Sequence, residues 1–125
     1  MDIKQAQEII REFDKARGWD TSWNMKDLLL NITEEGGELW HLVKWVDDKK
    51  QREIVEKNKE EVADYVGDTL FLILKIANQA GVDAEESLKK TLEDYEKRMP
   101  PAKMKEVGHA NKFAGGHDDK SAVQK

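Results

Sequence analysis

The stretch that decides the fold is residues 24–46, NMKDLLLNITEEGGELWHLVKWV. Alternate steps of four and three residues connect Leu28, Ile32, Glu35, Leu39, Leu42 and Val46. This spacing predicts an amphipathic helix over roughly residues 25–46, with Asn24 as its N-cap. A glutamate on the stripe is unusual, because carboxylates are rarely buried unless they are paired or bind a metal. Glu35 is therefore the first residue that indicates a site.

Three more helices are predicted around this one, and no strand pattern or hairpin turn precedes Pro100. They cover roughly residues 2–17, 57–80 and 84–99. Gly18 and Gly81 are the expected stop signals of the first and third helices. Residues 47–52 are a polar connector in which the third helix could already begin. The predicted class is all-α, a four-helix bundle.

The domain organisation is set by the only two prolines, Pro100 and Pro101. Residues 1–100 are expected to form one helical domain, since 125 residues are too few for two ordinary domains. Residues 101–125 are expected to be an irregular, mobile C-terminal tail. A chain of this size has a thin core, so an all-helical bundle is expected to self-associate.

Composition excludes several classes of function. The net charge of −5 argues against a general nucleic-acid binder. With no cysteine, disulfides and thiolate metal sites are excluded. No apolar run approaches membrane-spanning length, and no secretory signal is evident at the N-terminus. We expect a cytoplasmic protein without nucleic-acid or membrane partners.

Acidic residues recur on both central helices. Glu38 follows Glu35 by one helical turn, and on the third helix Glu61, Asp64 and Asp68 lie within about 60° of one another. Acidic side chains turned inward from two helices repel each other unless a cation binds between them. Oxygen ligands indicate Mg²⁺, Mn²⁺ or Ca²⁺ rather than Zn²⁺.

These residues resemble a known family. The segments Glu35-Gly36-Gly37-Glu38 and Glu61-Val62-Ala63-Asp64 look like the E-x-x-E and E-x-x-D motifs of MazG-type all-α nucleoside triphosphate pyrophosphohydrolases. Residues 17–20, Arg-Gly-Trp-Asp, resemble the compact MazG-like branch that includes deoxycytidine triphosphate pyrophosphatases.

The resemblance implies a helical bundle assembled as a homodimer or homotetramer. It implies cleavage of a nucleoside triphosphate to monophosphate and pyrophosphate with Mg²⁺, for which Mn²⁺ could substitute. It carries Glu35, Glu38, Glu61 and Asp64 over as metal ligands. Asp68 departs from the pattern, because many relatives have an apolar or aromatic residue there, and it is a candidate fifth ligand.

Other residues are candidates for handling the substrate. A carboxylate could accept the proton of the attacking water, and the candidates are Glu34, Glu38 and Asp68. No Walker glycine loop is present, so basic side chains must help to hold the phosphates; Lys75, Lys97 and Arg98 are candidates. Trp23 and Trp45 could stack on a base. Solvent exposure of the basic residues and core packing of the tryptophans are the alternatives.

Two other functions stay open at the level of sequence. A non-catalytic helical interaction module would carry the same motifs in a degenerate site. A di-iron carboxylate bundle would use two Glu-x-x-His motifs, for which Glu38 with His41 and Glu106 with His109 are the formal matches.

Overall fold

The computed structural model describes residues 1–124, which contain helices and no strands. This confirms the all-α class, although six helices replace the four predicted. They are α1 Ile3–Lys15, α2 Met25–Val43, α3 Asp48–Lys57, α4 Lys59–Ala80, α5 Ala84–Arg98 and α6 Pro101–Val107. The chain divides into two compact units, residues 1–84 and the part from Glu85 onward. None of the helices described combines the length and apolar character needed to span a membrane.

The first unit is built around α4, which packs against α1, α2 and α3. Its buried apolar side chains are Leu28 on α2 and Leu72, Leu74 and Ala77 on α4. Because these α4 residues all lie in its C-terminal half, the helix is anchored there. Its N-terminal half lies beside α2 and carries mostly exposed side chains.

The ends of the two central helices match the predicted signals. The side chain of Asn24 caps α2 by accepting a hydrogen bond from the backbone N–H of Asp27 at 2.9 Å. Gly81 ends α4 with φ of 67°, a left-handed conformation that glycine adopts without a Cβ penalty. These caps fix the start of α2 and the end of α4.

The predicted connector after α2 is largely a helix of its own. The side chain of Asp47 accepts a hydrogen bond from the N–H of Lys50 at 2.8 Å, which caps α3. Asn58 then separates α3 from α4, with non-helical φ and ψ of −123° and 39°. Its side-chain amide donates to the carbonyl of Ile54 at 2.7 Å, in competition with a continuous helix.

The second unit also departs from its prediction, because the segment after the prolines is not simply irregular. Pro101 is the first residue of α6, a position where its missing N–H costs nothing. Short 3₁₀ turns follow at Lys112–Ala114 and Lys120–Ala122. Arg98 at the end of α5 binds Asp118 through two hydrogen bonds of 2.8 and 2.7 Å, which ties the tail to α5.

Candidate active site

A pocket of about 180 Å³ lies between α2 and α4 in the first unit. Each helix contributes four side chains to its wall. They are Glu35, Glu38, Leu39 and Leu42 from α2, and Glu61, Asp64, Tyr65 and Asp68 from α4. The structure thus brings together in one pocket the five carboxylates whose helical spacing suggested a common site.

These five carboxylates lack positive partners among residues 1–124. Within residues 1–124 none of them forms a salt bridge, whereas many other acidic residues do, such as Glu56 with Lys59 at 3.2 Å. Burial raises the pKa of Glu35 above its ordinary value, and the neighbouring charges of Glu38, Asp68 and Glu34 raise it further. The pocket therefore holds concentrated negative charge that the described protein does not neutralise.

The donor set fits a hard divalent cation. Every polar side chain on the pocket wall offers oxygen, and carboxylate oxygens are the protein ligands that Mg²⁺ prefers. Within the described part of the chain, no three of the acidic or histidine side chains are already arranged to hold an ion. Ligation would therefore require the carboxylates to turn toward one another, and their lack of ion pairs leaves them free to do so.

The pocket has a volume of about 180 Å³ and is partly open to its surroundings. That is room for a hydrated ion and for phosphate oxygens. The rest of a bound nucleotide would extend through the open side of the pocket.

One acidic residue predicted for the site does not line the pocket, and three residues that line it were not predicted as site residues. Glu34 is exposed and does not line the pocket, although its charge acts on Glu35. Leu39 and Leu42 were interpreted only as core residues, and Tyr65 was not predicted at all. Tyr65 lies one residue after Asp64 and three before Asp68, so its proximity to the acidic face could have been noticed.

The two tryptophans predicted to bind a base have different surroundings. Trp23 is half-buried and stacks on Trp19, with ring centroids 5.4 Å apart and an angle of 15° between the planes. Trp45 is 86% exposed and meets Trp40 edge-on at 5.7 Å. Its φ of 66° is unusual for a residue other than glycine. Trp19, the partner of Trp23, was not predicted as a site residue.

The position of Lys75 does not fit the predicted phosphate contact. Its side chain is only 1% exposed, and its Nζ lies 3.1 Å from the carboxylate of Asp14 on α1. It does not line the acidic pocket. The spacing along α4 did not reveal this partner on α1. A lysine inside the apolar run Leu70–Ile76 was the available signal of burial.

The remaining basic candidates belong to the second unit. Lys97 is exposed on the last turn of α5. Arg98 is engaged by Asp118, whose pKa is held below its ordinary value by the hydrogen bonds from the guanidinium. A phosphate would have to compete with this carboxylate for Arg98.

The fold and the pocket together define an all-helical protein with a carboxylate site between two helices. The sequence matches the family model of the MazG nucleotide pyrophosphohydrolase domain over residues 24–102, more than half of the chain. This protein therefore belongs to the MazG family, and the matched range includes the whole acidic pocket.

A solved structure supports the same class. The chain is similar to a pyrophosphatase from Archaeoglobus fulgidus DSM 4304, with 29% identity and a TM-score of 0.69. The similarity covers 77% of this chain and 90% of that one. No curated protein matches the sequence. The family and the solved relative support a hydrolase that acts on nucleotides.

Proposed function

We propose that this protein hydrolyses nucleoside or deoxynucleoside triphosphates to monophosphate and pyrophosphate, using Mg²⁺ with Mn²⁺ as a substitute. The observation that carries the proposal is the pocket of five unpaired carboxylates in a chain of the MazG family. A role in clearing nucleotides from the cellular pool is the corresponding physiological proposal.

The carboxylates would share the work of holding the metal. Glu35 and Glu38 would bind it from α2, and Glu61 and Asp64 from α4, with Asp68 as a fifth ligand. When bound, Mg²⁺ would neutralise charge on the phosphate oxygens in the transition state. The raised pKa of Glu35 supports this assignment, because an ionised Glu35 lacks a compensating charge until a cation binds.

The proton of the attacking water would go to a carboxylate that is not fully committed to the metal. Glu38 and Asp68 line the pocket, which favours them as acceptors. Glu34 is the weaker candidate, because it lies outside the pocket lining. We assign the role to the pair Glu38 and Asp68 without dividing it between them.

The base would bind beyond the acidic pocket, on an aromatic side chain. Trp23, within its stack with Trp19, and the exposed Trp45 are the candidates. Lys97 and Arg98, which belong to the second unit, stay predicted phosphate-binding residues. Lys75 is left out of this set because it is buried against Asp14.

We also propose that the protein is a homodimer or homotetramer. Val66, Leu70 and Ile73 are each roughly half-exposed and follow one another on α4 by four and three residues. Val66 lies about 160° from Asp64 around the helix, so this apolar stripe is on the opposite side from the acids. A second copy of the chain would cover the stripe without blocking the pocket.

Substitution of the stripe tests the assembly. Leu70→Glu should yield monomers by light scattering, because a carboxylate would be buried in the interface without a partner. Val55→Glu, an exposed apolar position on α3, is the matched control and should leave the assembly intact. A wild-type protein that is monomeric at all concentrations would refute the proposal.

Product analysis tests the activity itself. A panel of nucleoside triphosphates with Mg²⁺ should yield equal amounts of monophosphate and pyrophosphate from at least one member. Release of orthophosphate and a nucleoside diphosphate instead would refute the assigned bond cleavage. A non-catalytic interaction module would release nothing. The di-iron alternative is disfavoured, because α6 ends at Val107, before His109.

A further inference from the structure

A second charged feature of the first unit is a buried ion pair between α1 and α4. Asp14 Oδ2 lies 3.1 Å from Lys75 Nζ, and the two side chains are 5% and 1% exposed. The other oxygen of Asp14 has no hydrogen-bond partner in the described structure. Buried ion pairs can often be replaced by apolar residues without loss of stability. Stability alone is thus a poor explanation for this pair.

The ammonium group of Lys75 contacts two tryptophans. Nζ lies 4.3 Å from the ring centroid of Trp23 and 5.5 Å from that of Trp19, within the range of cation–π attraction. It also lies 3.5 Å from the backbone carbonyl of Trp19, to which it donates. The stacked rings of the two tryptophans are therefore held against one fixed charge.

The backbone of Trp19 and Trp23 also forms hydrogen bonds with residues of α1 and α4. The N–H of Trp19 donates to the carbonyl of Asp14 at 3.0 Å. The side-chain amide of Gln79, on α4, donates to the carbonyl of Trp23. The backbone of Asp14 therefore anchors the segment that carries Trp19, while its side chain pairs with Lys75.

The location relates this aromatic stack to the acidic pocket. Asp68 and Lys75 are seven residues apart on α4, which places them about 10 Å apart along the axis and within about 20° around it. Because Lys75 contacts both rings, the stack borders the same side of α4 as the acidic residues. Both indoles are half-buried and keep an accessible part.

We propose that the Asp14–Lys75 pair positions the stacked indoles of Trp19 and Trp23 as a platform for the base of the substrate. This inference rests on the proposed function, because it needs a nucleotide whose phosphates bind at the acidic pocket. Lys75 is a positioning residue, which acts through the indoles and does not touch the phosphates.

The test is a double variant that removes both charges together, Asp14→Leu/Lys75→Met. Each single substitution would leave one buried charge without its partner and would report mainly on folding. The matched control is Glu56→Gln/Lys59→Met, which removes an exposed ion pair next to the same helix. All three proteins are compared as full chains by their unfolding midpoints and steady-state kinetics.

The double variant should keep its fold and raise the KM for nucleoside triphosphates about tenfold, with kcat changed by less than about twofold, as expected when one stacking contact is lost. With an abasic deoxyribose triphosphate, the KM of variant and wild type should be equal. An equal rise of KM for both substrates, or no rise for either, would overturn the proposal.

Circular dichroism provides a readout that needs no turnover. Two near-parallel indoles at 5.4 Å couple their transitions and give a paired positive and negative band. The difference between wild type and Trp19→Phe isolates this signal from the other tryptophans. The double variant should lose the signal, and the control should keep it. An unchanged signal in the double variant overturns the positioning role.

The two readouts separate the two proposals. If the wild type releases no pyrophosphate from any nucleoside triphosphate, the proposed function fails, and the role of the stack as a base platform fails with it. The dichroism signal then still decides whether Asp14 and Lys75 hold the indoles. If the wild type is active, the kinetic comparison decides the platform.

Discussion

Helix α4 carries two charged regions. The unmatched region is the acidic pocket, whose carboxylates have no basic partner within residues 1–124. The matched region is the ion pair of Lys75 with Asp14. In the N-terminal half of α4, Asp64 and Asp68 face a pocket of like charges without a basic partner. In its C-terminal half, Lys75 is closed in against Asp14. Nothing in the described protein neutralises the first region, which is why we propose a cation there. The second region is already neutralised and buried, so its role is limited to positioning the side chains that contact it.

The largest effect on stability is expected at the matched region. Lys75→Met should destabilise the protein by about 3–5 kcal/mol, because it leaves the buried carboxylate of Asp14 without its partner. Urea unfolding with a two-state analysis measures this change.

The contrast with an exposed pair sharpens the result. Lys59→Met, which breaks the exposed pair with Glu56, should cost less than about 1 kcal/mol. Adding Asp14→Leu to Lys75→Met should restore most of the stability. If Lys75→Met costs no more than Lys59→Met, the pair is not the buried, matched unit described above.

A smaller stabilisation is expected when a cation enters the unmatched region. At an Mg²⁺ concentration about 100 times the dissociation constant, binding should add about 2.7 kcal/mol, or roughly 10 °C in melting temperature. Thermal unfolding with and without Mg²⁺ measures the gain. Asp64→Asn should reduce it, and a gain of equal size in that variant would contradict the metal assignment.

The smallest effect concerns the pH dependence of the metal-free protein. Because the folded pKa of Glu35 lies above its unfolded value, the native state binds more protons in the window between the two. Stability should therefore decline as the pH rises through that window, and Glu35→Gln should decline less. Urea unfolding in a chelator, from about pH 4 to about pH 7, measures the difference. A steeper decline in Glu35→Gln would contradict the assigned direction.

The acidic region could be predicted from sequence because its geometry is local. Glu35 and Glu38 share a helical turn, as do Glu61 and Asp64, so spacing alone places each pair on one side of its helix. Assignment of both helices to one bundle then placed the two pairs in the same domain. Trp23 and Trp45 were proposed because aromatic rings suit a base and because the two residues flank the acidic motif of α2 in sequence. The surroundings of each ring could be known only from the fold.

The matched region could not be predicted in the same way. Asp14 and Lys75 are far apart in sequence, and no local pattern predicts that they form an ion pair. The short helix α6 was missed, and α3 was foreseen only as a possible early start of the third helix, for a different reason. Their signals, an Asp47 cap and Pro101 at the first helical position, are weak unless the neighbouring chain is already positioned.

The central claim is that the unmatched carboxylates hold a metal for nucleotide hydrolysis. The most direct test is the rate of Mg²⁺-dependent pyrophosphate release by wild type, Asp64→Asn and Glu60→Gln. Glu60 is exposed on α4 and lies outside the pocket, so its substitution is the matched control. Asp64→Asn should lower the rate at least about 100-fold, while Glu60→Gln should match wild type. Asp64→Asn acting at the wild-type rate would contradict the account.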